Sequence, residues 1–313
     1  MPRNIDSESQ IGRRLRLRDL HLFFTVVQEG SMAKAASHLG ISQPAVSEVI
    51  AALEDGLGVR LFDRNARGVE PTVYGRALLK RGRAAFDELK QGIRDIEFLS
   101  DAAGGELWIG CAPAPVVAIM PPIVQQFSRQ YPRVVLHIDE VPPPRQELTG
   151  LRERKYDLIV GRWMVSHHEP GDDLNVDFLV DDPLVIAVGK QSPWAKRRKV
   201  DLAELLNERW IVGPPTTWAY GAMKECFRAG GFDLPKASVV SVSAHIRAHM
   251  LGNGPFVCAV SRSLANWYSL KVLPIALPAQ TQPVAIITLK NRMLTPVTQL
   301  FIDCAHEVAK TLV

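Results

Sequence analysis

The sequence predicts an α/β protein in two parts: a small α-rich segment of short helices and sharp turns followed by one very long helix, and a larger portion of alternating strands and helices. Three observations predict it. Apolar residues fall at helical spacing in three short runs closed by Gly30, Gly40 and Gly58, and glycine most readily takes the left-handed turn at a helix end. A helical stripe then runs from Thr72 to about Ser100. Beyond Gly104-Gly105 the pattern changes to short β-rich runs separated by helical ones.

Residues 1–17 are polar or basic and lack periodicity, which reads as a flexible basic tail. Leu20, Phe23, Phe24 and Val27 then share one face of a first helix over Arg18–Glu29. Ser31 caps a second helix whose Met32, Ala35, Ala36 and Leu39 align, and Gly40 supplies the exit. Ser42 caps a third, with Pro44 in its first turn, where a missing N–H costs little. Val46, Val49, Ile50 and Leu53 form its buried stripe. Only Gly40-Ile41 separates the last two helices, so they must cross steeply, and small Ala35 and Ala36 let them approach: this is a helix-turn-helix. Val59–Arg64 reads as a strand, Asn65–Gly68 as a turn and Val69–Pro71 as the return strand, which adds a wing and completes a domain over 18–75.

Thr72 caps the long helix, whose linker portion is 76–100. Leu78, Leu79, Phe86, Leu89, Ile93, Ile96 and Leu99 mark its stripe, and at 1.5 Å per residue it reaches roughly 40 Å. One small domain cannot cover such a length, so the stripe is predicted to pack on a second copy as a dimer. In 105–313 the expected strands are Glu106–Cys111, Val134–Glu140, Leu158–Val160, Leu184–Val188, Trp210–Val212, Val239–Val242, Phe256–Val260 and Val284–Leu289. The expected helices are Val116–Gln130, Arg145–Arg154, Leu202–Leu206, Tyr220–Ala229, Ala244–Leu251 and Pro296–Leu312.

The 313 residues, 47% hydrophobic and 22% charged, exclude a disordered or fibrous chain and suit more than one folded domain. A net charge of +4 is modest, yet basic residues cluster. Arg13, Arg14, Arg16 and Arg18 precede the first helix, and Arg60, Arg64, Arg67, Arg76, Lys80, Arg81 and Arg83 follow the third. Such a set suits phosphate. Cys111, Cys226, Cys258 and Cys304 stand far apart without paired spacing, so neither a disulfide framework nor a zinc site is expected. The start carries no apolar run of signal-peptide length and no later stretch is long enough to span a bilayer, which predicts a cytoplasmic protein without a membrane partner.

The stretch SMAKAASHLGISQPAVSEVIAALEDGLGVRLFDR, with the wing and linker around it, resembles the DNA-binding domain of LysR-type transcriptional regulators over residues 18–76. The α/β remainder resembles that family's effector domain, a two-lobed fold of the periplasmic-binding-protein type 2 class. The resemblance implies lobe I over about 105–182 and 262–313, lobe II over about 187–260, and a tetramer built as a dimer of dimers. The expected function is a transcription regulator that binds double-stranded promoter DNA at an imperfect palindrome and responds to a small molecule, with RNA polymerase open as a further partner.

In a helix-turn-helix the start of the second helix enters the major groove. Gln43 can bond adenine through both amide atoms, Pro44 or Ala45 can touch a thymine methyl, and Ser47 is adaptable. Glu48 departs from the basic residue relatives often carry; it either selects a cytosine amino group or steers Gln43. Ser31 and Ser42 offer hydroxyls and helix N-termini to phosphates, and Arg64 and Arg67 suit the backbone or minor groove. Arg64 has a structural alternative in Asp63 or Glu70.

Ligands of a two-lobed fold sit at the carboxyl ends of its strands. That places Ala112, Pro113, Ala114, Arg145, Arg162 and Trp163 in the first lobe, and Thr216, Thr217, Trp218, Ser243 and His245 in the second. Arg162 or Arg145 suits a carboxylate, whereas Trp163 and Trp218 suit a sugar or an aromatic ring and equally suit a lobe core. A looser similarity of GELWIGCAPAP and LRERKYDLIVGR to members that regulate sugar-binding-protein genes favours a monosaccharide, with an organic acid as alternative. The pair Asp181-Asp182 reads as solvated loop charge, and His245 with His249 lacks the glutamate of a metalloprotease. No metal or cofactor is expected. Two other functions compete: an enzyme on the two-lobed fold with a helical docking module, and an architectural DNA binder without effector. No P-loop, nucleotide-binding glycine run or nucleophile elbow supports the enzyme.

Overall fold

The computed structural model describes residues 15–65, 68–101, 104–141, 147–163, 173–275, 277 and 283–312. The chain divides into two compact units, residues 1–92 and 93–313, and the long helix runs through the division. Residues 1–14 of the expected tail, Arg67 of the wing turn and Arg145 lie outside the described residues. Among the described residues no helix is long and apolar enough to cross a membrane.

In the first unit α1 (Leu17–Glu29), α2 (Met32–Leu39) and α3 (Gln43–Leu57) follow in quick succession. Their ends, Gly30, Gly40 and Gly58, take φ 62°, 65° and 71°, where a β-carbon is strained. Ser31 Oγ accepts the N–H of Lys34, and Ser42 Oγ that of Ala45, so each cap satisfies a donor that the helix leaves open. The buried faces converge on Phe23, Val26, Ala35, Val46, Ile50 and Leu53. β1 (Phe62–Asn65) and β2 (Gly68–Pro71) form an antiparallel hairpin with Phe62 opposite Pro71. Pairing starts later than the expected Val59 because Glu54 Oε1 accepts the N–H groups of Leu61 at 2.6 Å and Phe62 at 3.2 Å, holding this stretch against α3. The hairpin docks where α1 turns into α2: Val69 donates to the Gly30 carbonyl at 3.0 Å, and a β-carbon on Gly68 would overlap that oxygen.

Thr72 Oγ1 accepts the N–H of Gly75 at the start of α4 (Val73–Ser100), and Phe86 of α4 meets Phe24 of α1 edge-on at 5.4 Å. Leu89, Ile93, Ile96 and Leu99 of the expected stripe are exposed in the single chain, Leu99 at 82%.

The second unit runs β3 (Gly104–Cys111), α5 (Pro113–Ala118), α6 (Met120–Gln130), β4 (Arg133–Glu140), α7 (Glu147–Arg152), β5 (Leu158–Arg162) and β6 (Leu174–Val180). It continues with β7 (Leu184–Val188), β8 (Arg209–Val212), α8 (Trp218–Ala229), β9 (Ala237–Val240), α9 (Ala244–Asn253) and β10 (Phe256–Ser261). α10 (Arg262–Trp267), β11 (Lys271–Val272), β12 (Val284–Leu289) and α11 (Pro296–Ala309) complete it. Two five-stranded sheets result, one ordered β4-β3-β5-β12-β6 and the other β11-β7-β10-β8-β9. Each has its own core. Leu107, Ile109, Phe127 and Phe301 fill the first lobe, and Ile186, Trp210, Phe227 and Val257 the second. Trp210 satisfies its indole N–H on the Leu205 carbonyl at 2.7 Å.

Three expectations need correction. The single helix Val116–Gln130 is two helices meeting at Ile119, because Pro121 and Pro122 lack N–H groups and crowd the residues before them. β6 was not predicted: it is an edge strand whose Asn175, Asp177 and Phe178 are exposed, so it offers no continuous apolar signal. The return to the first sheet, expected near residue 262, comes between Val272 and Val284, because β11 pairs with β7. A two-residue strand carries no readable period.

All four cysteines are buried thiols. Burial pushes the Cys258 thiol up to about 11, against the pull of Arg247. The folded protein at pH 8 is therefore expected to leave Cys258 unmodified by iodoacetamide and to release it for alkylation on unfolding. Because the folded value is the raised one, this thiol's contribution to stability is lost as pH climbs from about 9 towards 11. Rapid native alkylation of Cys258, read by peptide mass, would contradict this.

Candidate DNA interface and interlobe cleft

The start of α3 presents the predicted DNA set on one short surface. Ser42, Gln43, Pro44 and Glu48 are exposed, and Ala45 and Ser47 are half-buried against the helices below. The i, i+4 and i, i+5 relation of Gln43 to Ser47 and Glu48 puts all three within the first two turns. Ser31 is half-buried at the cap of α2. Arg64 lies on β1 opposite Val69.

In the second unit the ends of β3, β8 and β9 lead into helices, and the predicted effector residues sit at those junctions. Ala112 donates its N–H to the Val160 carbonyl at 2.9 Å and starts α5, with Pro113 and Ala114 in its first turn. From the same helix Val117 packs among Ala244 and Leu264 of the second lobe, which brings the two lobes into contact. Thr216 is exposed, and Thr217 Oγ1 donates to the Pro214 carbonyl at 2.7 Å just ahead of α8. Ser243 caps α9, its Oγ accepting the N–H of Ile246 at 3.3 Å. His245 is exposed, with Nδ1 2.9 Å from the Tyr268 hydroxyl.

Arg162 and Trp218 come together across the lobes. The guanidinium carbon of Arg162, at the end of β5, lies 4.9 Å from the ring centre of Trp218, the first residue of α8. The same guanidinium donates to the Asp182 carbonyl and to Asp182 Oδ2, both at 2.6 Å. Asp182 in turn accepts from Ser263, N–H to Oδ1 at 2.8 Å and Oγ to Oδ2 at 2.7 Å. Burial pulls the Arg162 guanidinium below its usual range, and the charge and hydrogen bond of Asp182 offset part of that pull. Trp163 takes no part: it turns to the other face and packs beside the cluster of Leu151 and Tyr156.

Sequence reasoning misplaced Asp182. It is 3% exposed rather than solvated, and its partner Ser263 was not singled out as a site residue. The signal for Asp182 existed only as its position in the expected crossing between lobes.

Residues 17–76 match the family described as bacterial regulatory helix-turn-helix protein, lysR family, and residues 100–310 match the LysR substrate binding domain. The chain belongs to the LysR family. As a LysR-family member it is a DNA-binding transcription regulator with an effector-binding domain, not an enzyme. Among its relatives is the HTH-type transcriptional regulator GbpR of Azospirillum brasilense, 27% identical over 292 residues, covering 90% of this chain and 83% of GbpR. The crystal structure of full-length CbnR complexed with its target DNA is 21% identical, covers 94% of this chain and 99% of that one, and superposes with a TM-score of 0.63. The effector binding domain of QuiR in complex with shikimate is 21% identical, covers 66% of this chain and 98% of its own, and gives a TM-score of 0.53. At these identities the two structures establish the shared fold.

Proposed function

We propose that this LysR-family regulator reads an imperfect palindrome with two α3 helices of a dimer, and that a small hydroxylated or carboxylic effector in the interlobe cleft sets its promoter affinity. Dimerisation runs through α4, where Leu89, Ile93, Ile96 and Leu99 need a covering partner. Two dimers then assemble into a tetramer and hold the promoter between two sites. Gln43, Ser47 and Glu48 read base edges, Pro44 and Ala45 make apolar contact, and Ser31, Ser42, Arg64 and Arg67 hold phosphates. Acting on promoter DNA places the protein in the cytoplasm.

The observation that carries the effector reading is the Arg162–Trp218 stack across the lobes. A ring-shaped ligand takes the face of Trp218 in place of the guanidinium, while Thr216, Thr217 and Ser243 supply hydroxyls and Ala112, Pro113 and Ala114 an apolar floor. Ligand and arginine compete for one face, so binding shifts the population of lobe arrangements. The shikimate complex of the QuiR domain supports a ligand that joins hydroxyls to a carboxylate. For an acidic effector, Arg145 is the second cation that the sequence offers.

A gel-shift titration on the upstream intergenic DNA of its own gene, with random DNA as competitor and a panel of sugars and hydroxylated acids, tests this. Specific retardation changed by one compound is expected. Specific retardation that none of them changes would reduce the protein to an architectural binder. Within the DNA reading, Gln43→Ala is expected to weaken operator binding by about 1–3 kcal/mol and to leave binding to random DNA nearly unchanged. Equal loss on both DNAs would remove Gln43 from base recognition. Glu48→Arg is expected to reorder the affinities of operator variants; an unchanged order makes Glu48 a bystander.

A further inference from the structure

Resting on the DNA-binding function proposed above, we propose a second, sequence-independent contact with DNA: the pole of the second lobe facing away from the cleft binds the phosphate backbone. Strand direction defines that pole. β8, β9 and β10 are parallel and send their carboxyl ends to the cleft residues Thr216–Trp218, Ser243 and Ser263. Their amino ends therefore lie at the opposite edge, where Arg209 opens β8 and Lys236 precedes β9, each one residue before the paired Trp210 and Ala237. β7 and β11 complete the row. β7 runs antiparallel to β10 and emerges there towards Lys190, while Lys271 opens β11 opposite Val188. The loop leaving β7 adds Arg198 and Lys199.

All six side chains are exposed, and among the described residues none of them forms an ion pair. Nearby Arg197 does, with Glu204 at 2.7 Å. Taken with the rest of these segments the pole holds eight basic side chains against four acidic ones, a surplus as large as the formal charge of the whole chain, +4. A row across a five-stranded sheet is about 19 Å wide at ~4.8 Å per strand, which matches five or six phosphates of one DNA strand at about 3.4 Å of axis each. The chemistry favours DNA over an acidic protein. Protein interfaces are depleted in lysine and enriched in aromatic residues, whereas this row is mostly flexible, unpaired lysine, the side chain of non-specific phosphate contacts.

The test uses the full-length protein carrying Arg198→Glu, Lys199→Glu and Lys236→Glu together, with Lys310→Glu in the other lobe as a charge control. Affinity is titrated between 50 and 200 mM salt on a short operator duplex and on the same operator within a fragment of several hundred base pairs. On the long fragment the triple variant is expected to bind about tenfold more weakly at 50 mM salt, with a log–log salt slope smaller by about 2–3. The short duplex and Lys310→Glu are expected to behave as the parent does, and thermal melting is expected to be unchanged because the replaced side chains are exposed. Equal slopes for parent and variant on the long fragment overturn the proposal, as does equal loss on both lengths. Loss of promoter control with unchanged slopes also overturns it and assigns the pole to an acidic protein. The parent's preference for operator over random DNA reports separately on the function proposed above.

Discussion

Asp157→Ala is expected to destabilise the second unit by about 3–5 kcal/mol, the usual cost of removing one partner from a buried ion pair. Asp157 is buried between two arginines: its Oδ1 accepts from Arg94 at 3.0 Å and Arg292 at 2.7 Å, and its Oδ2 from the Trp108 backbone at 2.9 Å. The two cations differ in what else they have. Arg292, 7% exposed, also donates to the Tyr156 carbonyl at 2.9 Å, while Arg94 lies 4.5 Å from the Trp108 ring centre. Alanine leaves both charges in a dry site and leaves the Trp108 N–H without its acceptor. At roughly 2–4 °C per kcal/mol, the loss reads as a fall in melting temperature on the order of 10 °C. Arg292→Met in the same chain is expected to recover part of it, since much of the cost is the stranded charge. A fall of less than 2 °C would show that the three groups do not depend on one another. Arg94 belongs to the last turns of α4, so this ion triad ties the end of that helix to the first lobe.

Asp182→Ala is expected to cost about 3 kcal/mol and to blunt the response to effector. The residue sits on the crossing between sheets and binds three groups from two places: the Arg162 guanidinium at the end of β5 and, from α10, the N–H and hydroxyl of Ser263. Without the carboxylate the arginine loses its ion-pair partner, while it keeps the Asp182 carbonyl and the face of Trp218. Asp182→Asn keeps an acceptor for Ser263 and is expected to cost less than alanine. Melting curves of the two variants give the stability order. Thermal shift with the effector found by gel retardation gives the coupling, since saturable stabilisation scales with affinity. Alanine and asparagine variants that both melt and respond like the parent would exclude Asp182 from the coupling between the lobes.

What was legible in the sequence was local. Ser31, Gly40, Ser42 and Pro44 each encode a cap or a turn within a few residues of themselves, so the helix-turn-helix and the exposed start of α3 followed from neighbours along the chain. The strands of the second unit were legible where both faces are buried, as in Leu184–Val188 and Val284–Leu289, and illegible at the edge, where Asn175 and Asp177 break the apolar pattern of β6. The effector residues were placed by strand ends alone, which brought Arg162 and Trp218 into consideration but not into contact.

Sequence by itself thus determined the order of elements, the family and the DNA-reading helix, because capping, glycine turns and apolar period act over one or two turns. Tertiary structure alone decided which charges are buried. Asp182 meets Ser263 across 81 residues and Asp157 meets Arg292 across 135. An aspartate in a loop reads as solvated until a distant segment folds over it, and whether a carboxylate ends in water or against a buried guanidinium depends on partners that no local pattern names.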